Sequence, residues 1–170
     1  MRITALSVLP LAFALAVSRA NAEIKEAAVE YKSGEVLCEG WHAYDAAKEG
    51  KRPAVLIIHQ WTGLSDNEKM RARMLAELGY NVLAADIYGK GIRPQPPASG
   101  QEAGKFKGDR ALYRARLNAA LDVLKKDERT DASRVAAIGY CFGGTGVLEL
   151  VRGGADVRGV VSFHGGLGSP

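Results

Sequence analysis

The run Pro53–His59, PAVLIIH, carries no charge before its final histidine and no alternation of apolar with polar positions. A strand that meets water on one face alternates, whereas a continuous apolar run rich in β-branched residues has to be covered on both faces. Such strands belong to parallel sheets with helices packed on either side. The neighbouring residues meet that demand. Residues 64–79, LSDNEKMRARMLAELG, read as a helix capped by Ser65 or Asp66, with Met70, Met74, Leu75 and Leu78 as its apolar face and Gly79 at its C-terminal glycine position. Residues 80–86, YNVLAAD, read as the next strand.

The same alternation continues along the chain. Residues 29–45 hold two alternating runs around Ser33-Gly34, the pattern of an antiparallel hairpin. Residues 109–128 form a second amphipathic helix with Leu117, Ala120, Leu121 and Leu124 on one stripe. A strand over 133–139, a helix starting at the glycines of residues 143–154 and a sixth strand over 157–166 follow. Between them, residues 87–108 hold three prolines and five glycines and read as a long loop, either functional or a surface insertion. The expected fold is α/β, a mostly parallel sheet with helices on both faces and an N-terminal antiparallel hairpin leading into it. With 47% hydrophobic residues and a net charge of +4, the chain has no dense basic cluster, which excludes a nucleic-acid partner; Lys125–Arg129 mixes signs. There is no zinc-type Cys/His spacing, no P-loop and no complete dinucleotide fingerprint, so no metal or cofactor is expected.

Residues 1–22, MRITALSVLPLAFALAVSRANA, have a basic start, an apolar stretch from Ile3 to Val17 and the small-x-small end Ala20-Asn21-Ala22. That is the form of a secretory signal peptide. A membrane anchor is the alternative, but the stretch falls short of the ~20 residues a span needs and Pro10 interrupts it. Cleavage would remove Arg2 and Arg19, leave Glu23 first and put residues 23–170 outside the cytoplasm as a secreted, periplasmic domain free of the membrane. That domain is expected to be incomplete at its C-terminal side, since α/β domains of this plan commonly run to ~200 residues or more and the last strand would leave an apolar edge uncovered. Export permits a Cys38–Cys141 disulfide, but two cysteines make no disulfide framework, and Cys38 reads as a strand residue.

Gly139-Tyr140-Cys141-Phe142-Gly143 lies between a strand and a helix. Two readings compete: a nucleophile held on a sharp strand-to-helix turn, or a small buried thiol. A nucleophile there would project at the carboxyl end of the sheet, where α/β ligands bind. The following helix N-terminus would favour both the thiolate and an oxyanion. Flanking glycines would let neighbouring backbone pass. The N–H of Phe142 is one natural oxyanion donor, and the loop after His59 should supply the second. His59 itself ends a core strand beside that loop and is a candidate for touching the site. His42, on a hairpin strand, reads as a surface or half-buried side chain.

GYCFGG together with HQWTGL and ADIYG resembles the dienelactone hydrolases, α/β-hydrolases with a Cys-His-Asp triad. The resemblance implies Cys141 as nucleophile, the Phe142 and Trp61 amides as oxyanion hole, and Asp86-Ile87-Tyr88 lining the cleft. It implies a small-molecule ester or lactone substrate contacted by Gln60, Tyr88 and Lys90, and no cofactor. Gln60 stands where archetypal members have a glutamate that helps activate the cysteine, and glutamine cannot take a proton. Lys90 falls near an arginine that binds the substrate carboxylate, keeping the charge but losing the bidentate fork. After Cys141 only Asp156 and His164 occur. Asp156 lies at the amino end of a strand and His164 does not match the family's base, so the triad partners are expected beyond Pro170. The alternatives are a non-catalytic binding protein on the same fold and a thiol redox protein, the latter without a Cys-x-x-Cys pair.

Overall fold

A computed structural model describes residues 22–168; the signal-peptide reading therefore falls outside the described residues, apart from Ala22. The chain runs β1 (Ile24–Ser33), β2 (Val36–Asp45), β3 (Arg52–Ile58), α1 (Asp66–Glu77), β4 (Asn81–Ala85), α2 (Ala98–Gly108), α3 (Arg110–Lys126), β5 (Thr130–Tyr140), α4 (Phe142–Arg152) and β6 (Gly159–Phe163). The strands make one sheet in the order β1-β2-β4-β3-β5-β6. The apolar run is thus the central β3, parallel to β4 on one side and β5 on the other, with β6 parallel to β5 beyond. The β1–β2 hairpin joins β4 antiparallel, Trp41 opposite Ala84, and closes the other edge. This is the expected α/β plan with its N-terminal hairpin.

Alternate side chains of β3 explain its lack of alternation in sequence. Ala54, Leu56 and Ile58 pack with Leu83 and Ala85 under α2, α3 and α4. Val55 and Ile57 pack with Val82 and Ala84 under Ala72 and Ala76 of α1. On α3 the expected stripe of Leu117, Ala120, Leu121 and Leu124 is buried. Cys38 is buried on β2 and Cys141 partly exposed, both as free thiols.

Two elements differ from the sequence expectation. The first is α1, which does not bury the Met70, Met74, Leu75 and Leu78 face: Met70 is 48% exposed, Met74 47% and Leu78 72%. The N-terminal cap sets its rotation. The Ser65 side chain accepts from the Asn67 N–H, and Glu68 accepts from the Ser65 N–H (3.0 Å) and hydroxyl (2.6 Å). Glu68, Ala72 and Ala76, one residue per turn, then face the protein, and two alanines let the helix sit close to the sheet. The displaced methionine face borders an apolar groove lined by Met74, Leu75, Leu78, Ile138, Tyr140 and Phe163. Along β6 the outward Val161 and Phe163 are 49% and 41% exposed.

The second difference is α2, which lies in the segment read as loop. Its sequence has three glycines and no apolar stripe, and its N-cap Pro97 makes no side-chain cap. Packing overrides weak propensity here: Phe106 is buried against the rings of Tyr88, Tyr113 and Phe142, at centroid distances of 5.4, 5.8 and 6.1 Å. Leu117, fully buried in the larger core, supplies a test of the α3 packing. Leu117→Ala is expected to cost about 2–5 kcal/mol, read as a lower urea midpoint with an unchanged m-value.

Candidate active site

The parallel strands β3, β4 and β5 end at the same edge of the sheet, bringing three loops together: Gln60–Gly63 after β3, Asp86–Lys90 after β4, and Cys141 between β5 and α4. Cys141 adopts φ +54°, ψ −110°, a conformation few non-glycine residues adopt. Its N–H donates to the Phe163 carbonyl (2.9 Å), tying the turn to the end of β6. Gly139 and Gly143 permit the reversal. A Cβ on Gly139 would lie 2.0 Å from the Gly143 carbonyl oxygen, and one on Gly143 would lie 2.2 Å from that of Ile58 and 2.7 Å from that of His59. The first turn of α4 therefore rests directly on the end of β3. As the first residue of α4, Phe142 has an N–H without a partner inside its helix.

Behind the turn is a nest of aromatic rings. Phe142 is fully buried, stacked on Tyr113 at 4.7 Å on one side and on the His59 imidazole at 5.6 Å on the other. The Tyr113 hydroxyl donates to the Phe142 carbonyl (2.9 Å). Tyr88 meets His59 edge-on at 4.7 Å, and its hydroxyl donates to the Trp61 carbonyl (2.8 Å). Burial pushes the Tyr88 phenol above its ordinary pKa, so it stays protonated and a donor.

His59 is fully buried, and both of its ring nitrogens are engaged. Nδ1 lies 2.5 Å from the Gln60 carbonyl, and Nε2 accepts the Ile87 N–H at 3.2 Å. Those partners assign a neutral imidazole protonated on Nδ1. Burial lowers its pKa below the ordinary 6.5, against the raising influence of the Gln60 carbonyl, Asp86 and Glu68. The Gln60 carbonyl also accepts the Gly63 N–H (3.2 Å). Among the described residues the Trp61 N–H donates to no backbone carbonyl.

The other expected site residues are placed as follows. Gln60 is half-buried at the end of β3. The Trp61 indole is partly exposed, and a Cβ on Gly100 of α2 would lie 3.7 Å from it, so the glycine-rich segment does border the site. Asp86 is a buried structural carboxylate. It accepts from the Glu39 and Gly89 N–H groups (3.0 and 3.1 Å) and from the Arg93 guanidinium (3.2 Å). Lys90 hangs on the hairpin: its N–H donates to the Leu37 carbonyl and its ammonium pairs with Glu30 and Glu39, which raise its pKa. His42 is half-buried against Asn81 (2.7 Å). Asp156 pairs with Lys125 away from the turn, at 3.1 Å, and His164 ends β6 at φ +47°. The hydrogen bonds of His59, Tyr88 and Tyr113 had no pattern in sequence; only the place of His59 at a strand end pointed to it. Among the described residues no group of three or more His, Cys, Asp or Glu side chains is placed to hold a metal.

Residues 39–170 match the model of the dienelactone hydrolase family. The protein usf of Aquifex pyrophilus is 30% identical over 125 residues, covering 69% of this chain and 51% of that protein. A dienelactone hydrolase-like promiscuous phosphotriesterase from metagenomic libraries aligns with a TM-score of 0.83 at 42% identity, over 85% of this chain and 60% of that one. The structure of m3DLH aligns with a TM-score of 0.82 at 41% identity over the same shares. The chain thus spans about half the length of the curated relative and 60% of the two solved structures.

Two outcomes are expected of this site. Gly143→Ala forces α4 off the end of β3 and should lower the urea midpoint by the equivalent of about 1–3 kcal/mol. Stability should also fall with acid. His59 is harder to protonate folded than unfolded, so the unfolded chain binds more protons below 6.5. Its contribution is complete above that pH and is lost progressively as the pH drops below it. Urea midpoints at pH 7.5 and 5.5 should differ more in the parent than in His59→Asn.

Proposed function

Because the chain belongs to the dienelactone hydrolase family, we propose that the protein hydrolyses ester or lactone bonds of small molecules through an acyl-enzyme on Cys141. The observation that carries this reading is the strained Cys141, held between β5 and α4 with the first N–H of α4 beside it and the β3 loop facing the same sheet edge. The thiolate attacks the substrate carbonyl carbon, forming the C–S bond. The Phe142 and Trp61 amides take the negative charge that develops on oxygen, each donor contributing on the order of 10²–10³ in rate. The C–O bond then breaks, and the leaving alkoxide takes up the proton released when the Cys141 thiolate formed. Water attacks the thioester, giving the carboxylic acid and restoring the thiol.

In the same reading Trp61 and Gln60 border the cleft from the loop after β3, Tyr88 braces that loop from beneath, and Lys90 would have to leave Glu30 and Glu39 to meet a substrate carboxylate. Gln60 cannot serve as a base, so the N-terminus of α4 is what favours the thiolate. Export through residues 1–22 would place the reaction in the periplasm. The test is hydrolysis of an activated aryl ester by the whole protein and its Cys141→Ala form, with mass spectrometry for the acyl adduct. A loss on the order of 10³-fold or more, with the adduct on Cys141, is expected. Equal rates would overturn the proposal, and a protein that binds the ester without turnover would be the non-catalytic alternative.

A further inference from the structure

We infer that His59 is a positioning residue for the oxyanion hole, aiming the Trp61 N–H by clamping the carbonyl of the peptide that carries it. This rests on the proposed thioester chemistry. The Gln60–Trp61 bond is trans, since among the described residues only Pro96–Pro97 is cis. In a trans peptide the C=O and N–H of one plane point in opposite directions. Whatever holds the Gln60 carbonyl therefore fixes the direction of the Trp61 N–H.

Two donors hold that carbonyl, His59 Nδ1 at 2.5 Å and the Gly63 N–H at 3.2 Å. The imidazole is itself immobile. Its far nitrogen takes the Ile87 N–H at 3.2 Å, and its faces and edges meet Phe142 and Tyr88. One ring thus links the loop after β3, the loop after β4 and the first residue of α4, which carries the other oxyanion donor. The Gln60–Trp61 plane is turned so that its N–H leaves on the side away from His59. Tyr88 holds the following plane by a separate bond to the Trp61 carbonyl, so it braces the loop without setting this N–H.

Two substitutions separate the nitrogens. In His59→Asn the side-chain amide takes the place of Nδ1 and can still donate to the Gln60 carbonyl. In His59→Gln the longer amide reaches the Ile87 N–H and leaves the Gln60 carbonyl with the Gly63 bond alone. Two rates at Cys141 are compared in the whole protein. Acylation by an aryl ester passes through an oxyanion and needs the hole. Alkylation by iodoacetamide is displacement at a saturated carbon and does not, so it reports the thiol and the integrity of the turn.

His59→Gln is expected to lower acylation on the order of 10²-fold while alkylation stays within about threefold of the parent, the kcat effect exceeding any change in KM. His59→Asn should restore most of the acylation rate, and Tyr88→Phe should lower it by less than about tenfold. Several results would overturn the inference: parent-like acylation in His59→Gln, acylation and alkylation falling together, or His59→Asn losing as much as His59→Gln. Should His59→Gln not fold, His59→Ala, which leaves the Gln60 carbonyl with the Gly63 bond alone, takes its place: acylation down on the order of 10²-fold with alkylation intact would support the inference, and parent-like acylation would overturn it. Failure of the underlying reading looks different, since the parent itself would then form no acyl adduct on Cys141.

Discussion

The close seat of α4 on β3 governs the rest of the site. The first turn of the helix can lie on the Ile58 and His59 carbonyls only because Gly143 has no side chain. Gly139 makes the matching concession from the strand side, admitting the Gly143 carbonyl where any Cβ would collide. These two glycines, four residues apart with the cysteine between them, close the reversal from both directions. Everything downstream inherits the contact: Phe142 is driven into the aromatic nest, its amide opens at the sheet edge, and Cys141 is left at the apex.

That apex is strained. A non-glycine residue at φ +54°, ψ −110° costs on the order of 1–3 kcal/mol, and the surroundings must hold it there. The Cys141 N–H bond to Phe163, the Tyr113 hydroxyl on the Phe142 carbonyl, and the stacking of Phe142 between Tyr113 and His59 supply the restraint. Aromatic pairs contribute roughly 0.5–1.5 kcal/mol each beyond burial, so the nest is of the right size to offset the strain. The turn is therefore rigid because of groups well away from the thiol in sequence, the side chains of His59 and Tyr113 and the backbone carbonyl of Phe163.

This explains which parts were legible in the chain. β3, β4 and α3 were readable because their patterns are local: an unbroken apolar run means two covered faces, and a leucine stripe at helical spacing means one. The cysteine turn was readable for the same reason, since glycine spacing reports backbone closeness. Helix α1 misled because its most apolar stripe is not its buried one; capping by Ser65 and Glu68 rotated alanines onto the sheet and left Met70, Met74 and Leu78 outside. Helix α2 was hidden because its buried residues, Ser99, Ala103 and Phe106, include only one large side chain, held by rings from three other segments. The placement of Lys90 on Glu30 and Glu39 was equally illegible, being set by pairing across about fifty to sixty residues of chain.

His59 shows how position and chemistry can part company. A histidine beside a cysteine turn invites the role of general base, and two buried carboxylates, Asp86 and Glu68, lie near enough to favour its charged form. Neither carboxylate touches it. Asp86 is occupied by Arg93 and two backbone N–H groups, and Glu68 by Ser65 and Asn67. Burial and the Arg93 cation oppose a proton, and taking one on Nε2 would set it against the Ile87 N–H, donor against donor. A general base needs a free lone pair within reach of the group it deprotonates, and this imidazole has none. Its two nitrogens are committed to backbone, which suits it to holding a peptide plane and unsuits it to moving the proton of Cys141.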